Sequence, residues 1–266
     1  MSRRIAAALA ASLALSCAGH RQASAAVQVK LALARELEKR GLRDAAFEEV
    51  DQACRQAPRD GAARALRGSL LAERGLITEA EADLRDAVRL APDLPEAHAG
   101  LAIVHERQRR LEEAEAEHRR ALELAPGNAH YLNNLGYALL THGKPAAALP
   151  VLLQAARVDP LSRRVRTNLG FAHAALADYP RAARAFELGG TPAEAQSNLG
   201  LAYERAGNLA QAREHYARAL RLDPGLAVAR TNLARLDAAR PEARLDPAPA
   251  PVAEAPDLDR PPGGQP

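Results

Sequence analysis

The sequence of 266 residues has no tryptophan, only three Phe and five Tyr, and two cysteines. Strands and sandwich cores favour aromatic and β-branched residues, so this scarcity argues against most β architectures. Two cysteines are also too few for the disulfide framework of a small exported domain. By contrast the chain contains 63 alanines, and Ala, Leu, Arg and Glu favour helices. The composition therefore predicts an all-α protein.

Sequence motifs that carry enzyme and cofactor chemistry are also missing. The chain contains no G-x-x-x-x-G-K-[ST], G-x-G-x-x-G, G-x-S-x-G or H-E-x-x-H. Its eight histidines are scattered and form no Cys/His cluster with metal-ligand spacing. No block of basic residues is interleaved with aromatic residues, as a nucleic-acid surface would require. We therefore predict a protein that is not an enzyme and that binds no cofactor, metal or nucleic acid.

The first residues have the pattern of an export signal. Arg3 and Arg4 precede an uncharged run over residues 5–15, which is too short to span a bilayer and is typical of a signal peptide. Ser16-Cys17 follows, and it resembles the lipobox of bacterial lipoproteins. That resemblance implies a signal peptide over 1–16, a lipid anchor on Cys17 and a tether over 17–26. Since residue 18 is Ala rather than Asp, it also implies sorting to the outer membrane, facing the periplasm.

Two other fates of this N-terminus remain open. Ala23-Ser24-Ala25 is an A-x-A type site, and cleavage after Ala25 would leave a soluble periplasmic protein. Alternatively, the N-terminus stays uncleaved and the protein is cytosolic. Under lipidation Cys54 has no partner, and we expect it to fill a core position on a helix.

Four sets of residues recur along the chain every 34 residues, and the interval shortens once, to 30, before a last unit. Internal repeats of this length indicate a solenoid. The sets are Pro58, Pro92, Pro126 and Pro160; Ala46, Ala80, Ala114, Ala148 and Ala182; Ala34, Gly68, Ala102, Gly136 and Gly170; and Ala53, Ala87, Ala121 and Ala155.

With this spacing the chain resembles the tetratricopeptide repeat family, whose units are antiparallel helix pairs. The segment Asn134-Leu135-Gly136, with Ala148 and Pro160, shows the pattern most fully. The resemblance implies a right-handed α-solenoid over 27–240, built from six units and a terminal helix. The units are 27–60, 61–94, 95–128, 129–162, a trimmed one at 163–192, and 193–226, and the capping helix covers 227–240.

The trimmed unit and the chain end carry further signals. Gly189-Gly190 predicts a helix stop, and Thr191-Pro192 predicts an N-cap and first residue that restart the next helix. Residues 241–266 hold eight of the 18 prolines, so we expect a disordered, Pro-rich tail there.

The resemblance also indicates a binding surface. Positions are counted from the first residue of each unit. In the family, position 6 lies on the first helix, on the inner wall of the superhelix, where side-chain amides can hydrogen-bond the backbone of an extended peptide. Asparagine at this position can instead bond the neighbouring helix, and both roles stay open. The predicted peptide-binding groove consists of Asn134, Asn168, Asn198 and Asn232 at position 6, with Asn133, Tyr137 and Phe171 beside them.

A lipoprotein-type signal followed by such repeats resembles the envelope lipoproteins of pilus and secretion machines. The segments 133–137 and 191–200 look most like the Tad/Flp pilus assembly lipoprotein. We therefore expect a protein-binding scaffold, with secretin or pilus components as partners and a lipid anchor in the membrane. A pilotin-like lipoprotein of a type IV pilus or type II secretin is one alternative, and an adaptor subunit of a cell-wall enzyme is another. The sequence leaves the oligomeric state open.

Overall fold

The computed structural model describes residues 25–238, and within this range the chain forms thirteen α-helices and no strand. The predicted signal peptide, Cys17 and the Pro-rich tail lie outside the described residues. The helices are α1 (25–39), α2 (Arg43–Gln56), α3 (Gly61–Glu73), α4 (Ile77–Leu90), α5 (Pro95–Arg107), α6 (Leu111–Leu124), α7 (Ala129–Thr141), α8 (Pro145–Val158), α9 (Arg163–Ala175), α10 (Tyr179–Gly189), α11 (Pro192–Arg205), α12 (Leu209–Leu222) and α13 (Ala227–Ala238).

Consecutive helices pack as antiparallel pairs, and the pairs stack along the chain. The first helices of neighbouring pairs touch, as in α3 with α5, α7 with α9, and α9 with α11. The terminal helix α13 touches α11 in the same way. Second helices of neighbouring pairs make no comparable contact in the described range. The first helices therefore line the inner wall of the solenoid. This arrangement confirms the prediction of an all-α solenoid of helix pairs.

Small residues let the two helices of each pair touch. A Cβ added to Gly136 would lie 2.5 Å from Leu152, and one added to Gly170 would lie 2.5 Å from a ring atom of Phe186. The repeated alanines of the second helices are fully buried in the same interfaces; they are Ala46, Ala80, Ala114, Ala148 and Ala182. Because protein cores are close-packed, these positions admit no larger side chain without displacement.

Tight turns between the two helices of a pair require a residue in the left-handed region. Gly41, Gly75, Gly143 and Gly207 take this place with φ from +72° to +82°. In two pairs the same place is occupied by Arg109 (φ +61°) and Ala177 (φ +62°). The turn is therefore kept where the glycine is absent, at a cost in backbone strain.

The trimmed unit is shortened in its second helix. Helix α10 has 11 residues, whereas α8 and α12 have 14 each. It ends at Gly189, and Thr191 then caps α11 through a capping box with Glu194, with Pro192 as the first helical residue. The predicted stop and restart are confirmed. No helix between residues 25 and 238 is long and apolar enough to cross a membrane.

An ion-pair network holds the first two pairs together. Arg67 occupies a first-helix position that is apolar in most units, and its guanidinium donates to Asp83 on α4 (Nε to Oδ2, 2.6 Å; Nη2 to Oδ1, 2.8 Å). It also donates to Asp51 on α2 at 3.0 Å. Asp83 is only 5% exposed, and its bidentate pairing satisfies a carboxylate that would be costly to bury alone.

Candidate peptide-binding groove

The predicted site residues all lie on first helices of the C-terminal half, on α7, α9, α11 and α13. The structure brings Tyr137 and Phe171 together at the wall of one pocket of about 400 Å³. We call it the aromatic pocket, and its main lining residues are Tyr137, Leu140, Phe171, Tyr179, Ala202 and Arg205. It lies where the C-terminal ends of α7, α9 and α11 meet.

Three aromatic side chains, those of Tyr137, Phe171 and Tyr179, line this pocket together with smaller residues. Tyr137 is 50% exposed, so one of its faces is free to cover a ligand. Phe171 is held edge-on against the buried Phe186, with ring centroids 4.9 Å apart. Tyr179 stacks on Tyr203 at 4.1 Å with the rings nearly parallel. These contacts fix two of the three walls before any ligand arrives, which lowers the entropic cost of binding.

Arg205 is the charged residue of the aromatic pocket. Its guanidinium carbon lies 5.0 Å from the centre of the Phe171 ring, and it makes no ion pair with a carboxylate of residues 25–238. An exposed guanidinium on an aromatic face is available for a carboxylate of a ligand. The pocket therefore suits an apolar side chain followed or preceded by an acidic residue.

Contacts behind the aromatic pocket hold the end of α11 in place. The carboxylate of Glu204 accepts a 2.9 Å hydrogen bond from the phenol of Tyr216 on α12 and also pairs with Arg235 on α13. Burial, followed by this bond to Glu204, raises the pKa of the Tyr216 phenol above its usual value. Side-chain contacts thus join three consecutive helices, α11, α12 and α13, at the residue that precedes Arg205.

Two of the predicted asparagines bond each other. Nδ2 of Asn168 on α9 donates a 2.9 Å hydrogen bond to Oδ1 of Asn133 on α7. Asn133 is 4% exposed and Asn168 is 9% exposed, so neither amide lies open on the inner wall. Of the two roles considered for asparagine at position 6, Asn168 takes the one that joins neighbouring helices.

The other three asparagines of position 6 are half-buried and differ in their surroundings. Nδ2 of Asn134 lies 3.3 Å from Nε2 of His130 on the same helix. Asn232 lies on α13, close to the Tyr216 phenol. Asn198 lines a second pocket of about 240 Å³, which we call the polar pocket, with Arg163, Thr167, Glu194, Ser197 and Val228. The four asparagines therefore do not form one continuous exposed row.

Two residues of the aromatic pocket, Arg205 and Tyr179, were not predicted from the sequence. Arg205 and Tyr179 belong to different helices of the fifth and sixth pairs, and only the stacking of those pairs brings them beside Tyr137. Position along the repeat could have placed Arg205 one turn beyond the position of Tyr137 and Phe171, on the same face of its helix. Within the described range no group of three or more His, Cys, Asp or Glu residues is arranged to hold a metal ion.

Family models of the tetratricopeptide repeat match most of the chain. One matches residues 193–226, and another matches 31–95, 77–129 and 133–192. No curated protein sequence matches the chain significantly.

Solved structures share the architecture at low sequence identity. PilF of Pseudomonas aeruginosa has a TM-score of 0.63 at 19% identity, over 80% of this chain and 99% of that chain. PilW, described as a widely conserved type IV pilus biogenesis factor, has a TM-score of 0.65 at 19% identity, over 78% of this chain and 98% of that one. YrrB, described as a TPR protein with an unusual peptide-binding site, has a TM-score of 0.54 at 22% identity, over 69% and 96%. Similarity at this level concerns the fold.

Proposed function

This chain belongs to the tetratricopeptide repeat family, and on that premise we propose that it is a non-enzymatic scaffold that binds an extended segment of a partner protein. The observation that carries the proposal is the aromatic pocket. Tyr137 and Phe171, predicted as groove residues, line it together with Arg205, whose charge no described carboxylate neutralises. An apolar side chain of the partner enters the pocket, and a neighbouring carboxylate pairs with Arg205.

The polar pocket supplies a second contact for the same segment. Ser197 and Arg205 both lie on α11, eight residues apart, so the two pockets are separated by about 12 Å along that helix. About four residues of an extended chain cover this distance. The Thr167 hydroxyl and the Asn198 amide, both half-buried, hydrogen-bond the backbone of the segment, while the aromatic pocket selects its side chain.

Binding by the aromatic pocket is tested by exchanging its exposed residues. Tyr137→Ser and Arg205→Glu should each reduce co-purification of the native partner. Both should leave the melting temperature nearly unchanged, because Tyr137 is half exposed and Arg205 is exposed. Leu222→Ser is the matched control, since Leu222 is 58% exposed at the end of the second helix α12. Equal recovery of the partner with all three variants would rule out the pocket as its binding site.

We place the scaffold at the outer membrane, facing the periplasm and held by a lipid on Cys17. The support is the sequence pattern of two arginines, an apolar run and Ser16-Cys17. In palmitate-labelled cells Cys17→Ser should lose the label and move to the soluble fraction. Cys54→Ser should keep the label, because Cys54 is a buried core residue. Label retained by Cys17→Ser would exclude the anchor.

The partner machine we propose is a pilus or a related secretion apparatus, with secretin or pilus components as the bound proteins. Both PilF and PilW are covered by this chain over nearly their whole length, and PilW is described as a type IV pilus factor. That similarity supports a type IV pilus role beside the Tad/Flp role expected from the sequence. Deletion of the gene should remove surface pili, and Tyr137→Ser should fail to restore them where Leu222→Ser succeeds. Normal piliation of the deletion strain would exclude this role.

A further inference from the structure

We propose that the ligand class of the aromatic pocket is a proline-rich, acidic segment, and that residues 247–259 of this same chain bind there in cis. This inference rests on the proposed function in using the same pocket, and it names the chemistry of the ligand. The chain's own segment therefore competes with the partner for the pocket, and a partner segment displaces it by binding more tightly or by being present at high local concentration.

Aromatic walls are the reason for choosing a proline-rich ligand. Tyr137, Phe171 and Tyr179 surround one pocket in a chain that has only eight aromatic residues. Grooves lined by aromatic rings bind proline-rich segments, because the extended polyproline conformation loses little entropy on docking and its rings pack flat on aromatic faces. Residues 247–259 contain four prolines, at 247, 249, 251 and 256.

Charge favours the same segment. The pocket offers one guanidinium, that of Arg205, without a carboxylate partner in the described part of the chain. Residues 247–259 carry three carboxylates and no basic residue, at Glu254, Asp257 and Asp259. Val252 and Leu258 are apolar residues within two positions of a carboxylate. Either one can enter the pocket while a neighbouring acid pairs with Arg205.

The last described residue of the chain, Ala238, lies near the aromatic pocket. Helix α13 is a first helix and lies beside α11 in the same direction, so its last described residue, Ala238, lies at the same end as Arg205. The pairing of Arg235 on α13 with Glu204 on α11 fixes this proximity, because Glu204 precedes Arg205 and Arg235 lies one turn before Ala238.

The connection between Ala238 and Pro247 is long enough for residues 247–259 to dock in the aromatic pocket. Eight residues separate Ala238 from Pro247, and they can span about 27 Å when extended. Neighbouring helix axes lie about 8–10 Å apart, so the pocket between α11, α9 and α7 is within two such steps. A connection of this length gives the segment an effective concentration on the order of millimolar, which makes even a weak interaction populated.

Competition with a labelled peptide tests the inference on the full chain. A fluorescein-labelled peptide of residues 245–260 is titrated with the unaltered chain and with a chain carrying Pro249→Ser, Pro251→Ser, Pro256→Ser, Glu254→Gln, Asp257→Asn and Asp259→Asn. We expect the altered chain to bind the peptide about tenfold more tightly, because its own segment no longer competes at millimolar effective concentration. Equal affinity for both chains, or no binding to either, would overturn the inference.

Charge reversal identifies the pocket as the site. Arg205→Glu in the altered chain should abolish peptide binding, whereas Arg221→Glu should preserve it. The two arginines are matched, since both are exposed and both lie in the last turn of a helix, α11 and α12 respectively. Equal loss in both variants would show a general charge effect and would contradict docking at Arg205.

A fluorescent reporter distinguishes docking in cis from docking on a second copy. Since the chain has no tryptophan, Tyr137→Trp places a single one at the pocket. If the segment docks in cis, acrylamide should quench the fluorescence of the introduced tryptophan less in the chain with the natural tail than in the chain with the altered tail. This quenching should not change on dilution. Quenching that rises on dilution would show that the segment comes from another molecule. Failure of these tests leaves partner binding by the pocket intact, because that is measured separately with Tyr137→Ser and the native partner.

Discussion

The side-chain amide of Asn168 donates a 2.9 Å hydrogen bond to the side-chain oxygen of Asn133, and this bond joins the first helices of two successive pairs. Both residues are buried, so the bond lies inside the wall of the groove. It helps to set how α9 lies against α7, and therefore where Phe171 lies relative to Tyr137. The asparagine at position 6 therefore supports the wall that carries the aromatic pocket.

Removal of that amide should cost stability. Asn168→Ala leaves the buried oxygen of Asn133 without its donor, and we expect the free energy of unfolding to fall by about 1–2 kcal/mol. Asn198→Ala is the control, because Asn198 is half-buried at the polar pocket, and we expect a change within about 0.5 kcal/mol. Urea unfolding followed by circular dichroism measures both. Similar losses in the two variants would contradict the role given to the Asn133–Asn168 bond.

Removing Arg67 alone from the ion-pair network should lower the free energy of unfolding much more than replacing both Arg67 and Asp83. Arg67→Leu leaves Asp83 buried with only Arg64 beside it, and we expect a loss on the order of 3 kcal/mol. Arg67→Leu with Asp83→Leu should recover most of that loss, because Asp51 keeps Arg55 and Arg64 keeps Asp86. Chemical unfolding of the single and double variants decides this. A double variant less stable than Arg67→Leu would disprove it.

Backbone strain at the glycine-free turns should be relieved by glycine. Arg109→Gly should stabilise the chain by about 0.5–1 kcal/mol, since Arg109 is exposed and holds a φ of +61°. Gly143→Ala is the reverse control: no atom lies within 4 Å of an added Cβ, so its expected loss of about 1 kcal/mol reports backbone strain alone. The midpoint of thermal unfolding should rise in Arg109→Gly and fall in Gly143→Ala. A lower midpoint in Arg109→Gly would contradict the claim that Arg109 holds a strained backbone.

Stability should fall as the pH falls through the range of the histidines. Burial, followed by the positive charge of Arg110, lowers the pKa of His105 below its ordinary value of 6.5. The unfolded chain therefore binds a proton that the folded chain rejects, so this contribution is complete above pH 6.5 and decreases below it. His105→Gln should weaken the dependence of the unfolding free energy on pH between about 7.5 and 5.5, above the range where carboxylates titrate. An unchanged slope would exclude His105 as its source.

The repeat was predictable from the sequence because small residues recur at the positions where two helices touch. A close helix contact needs Gly or Ala on one helix. The recurrence of Gly136 at Gly170 and of Ala148 at Ala182, each after 34 residues, reveals these contacts without coordinates. The N-cap at Thr191 and the stop at Gly189 were predictable for a similar reason, since each depends on a few neighbouring residues.

The site was predictable only in part. Tyr137 and Phe171 occupy one repeat position on successive first helices, so their place on the same wall follows from the period. The bond between Asn168 and Asn133 depends on the axial offset of two helices by a fraction of a turn, which the period leaves open. Arg205 and Tyr179 join the pocket through the stacking of three helix pairs, and a pairwise sequence pattern does not specify that geometry.

Photo-crosslinking in whole cells tests the binding role of the aromatic pocket most directly. Benzoylphenylalanine replaces Tyr137 in the pocket, and in a second strain it replaces Leu222 on the outer helix α12. We predict that position 137 captures one defined envelope protein, that position 222 does not, and that Arg205→Glu removes the crosslink. Capture from position 222 alone, or a crosslink at 137 that Arg205→Glu leaves unchanged, would contradict binding at this pocket.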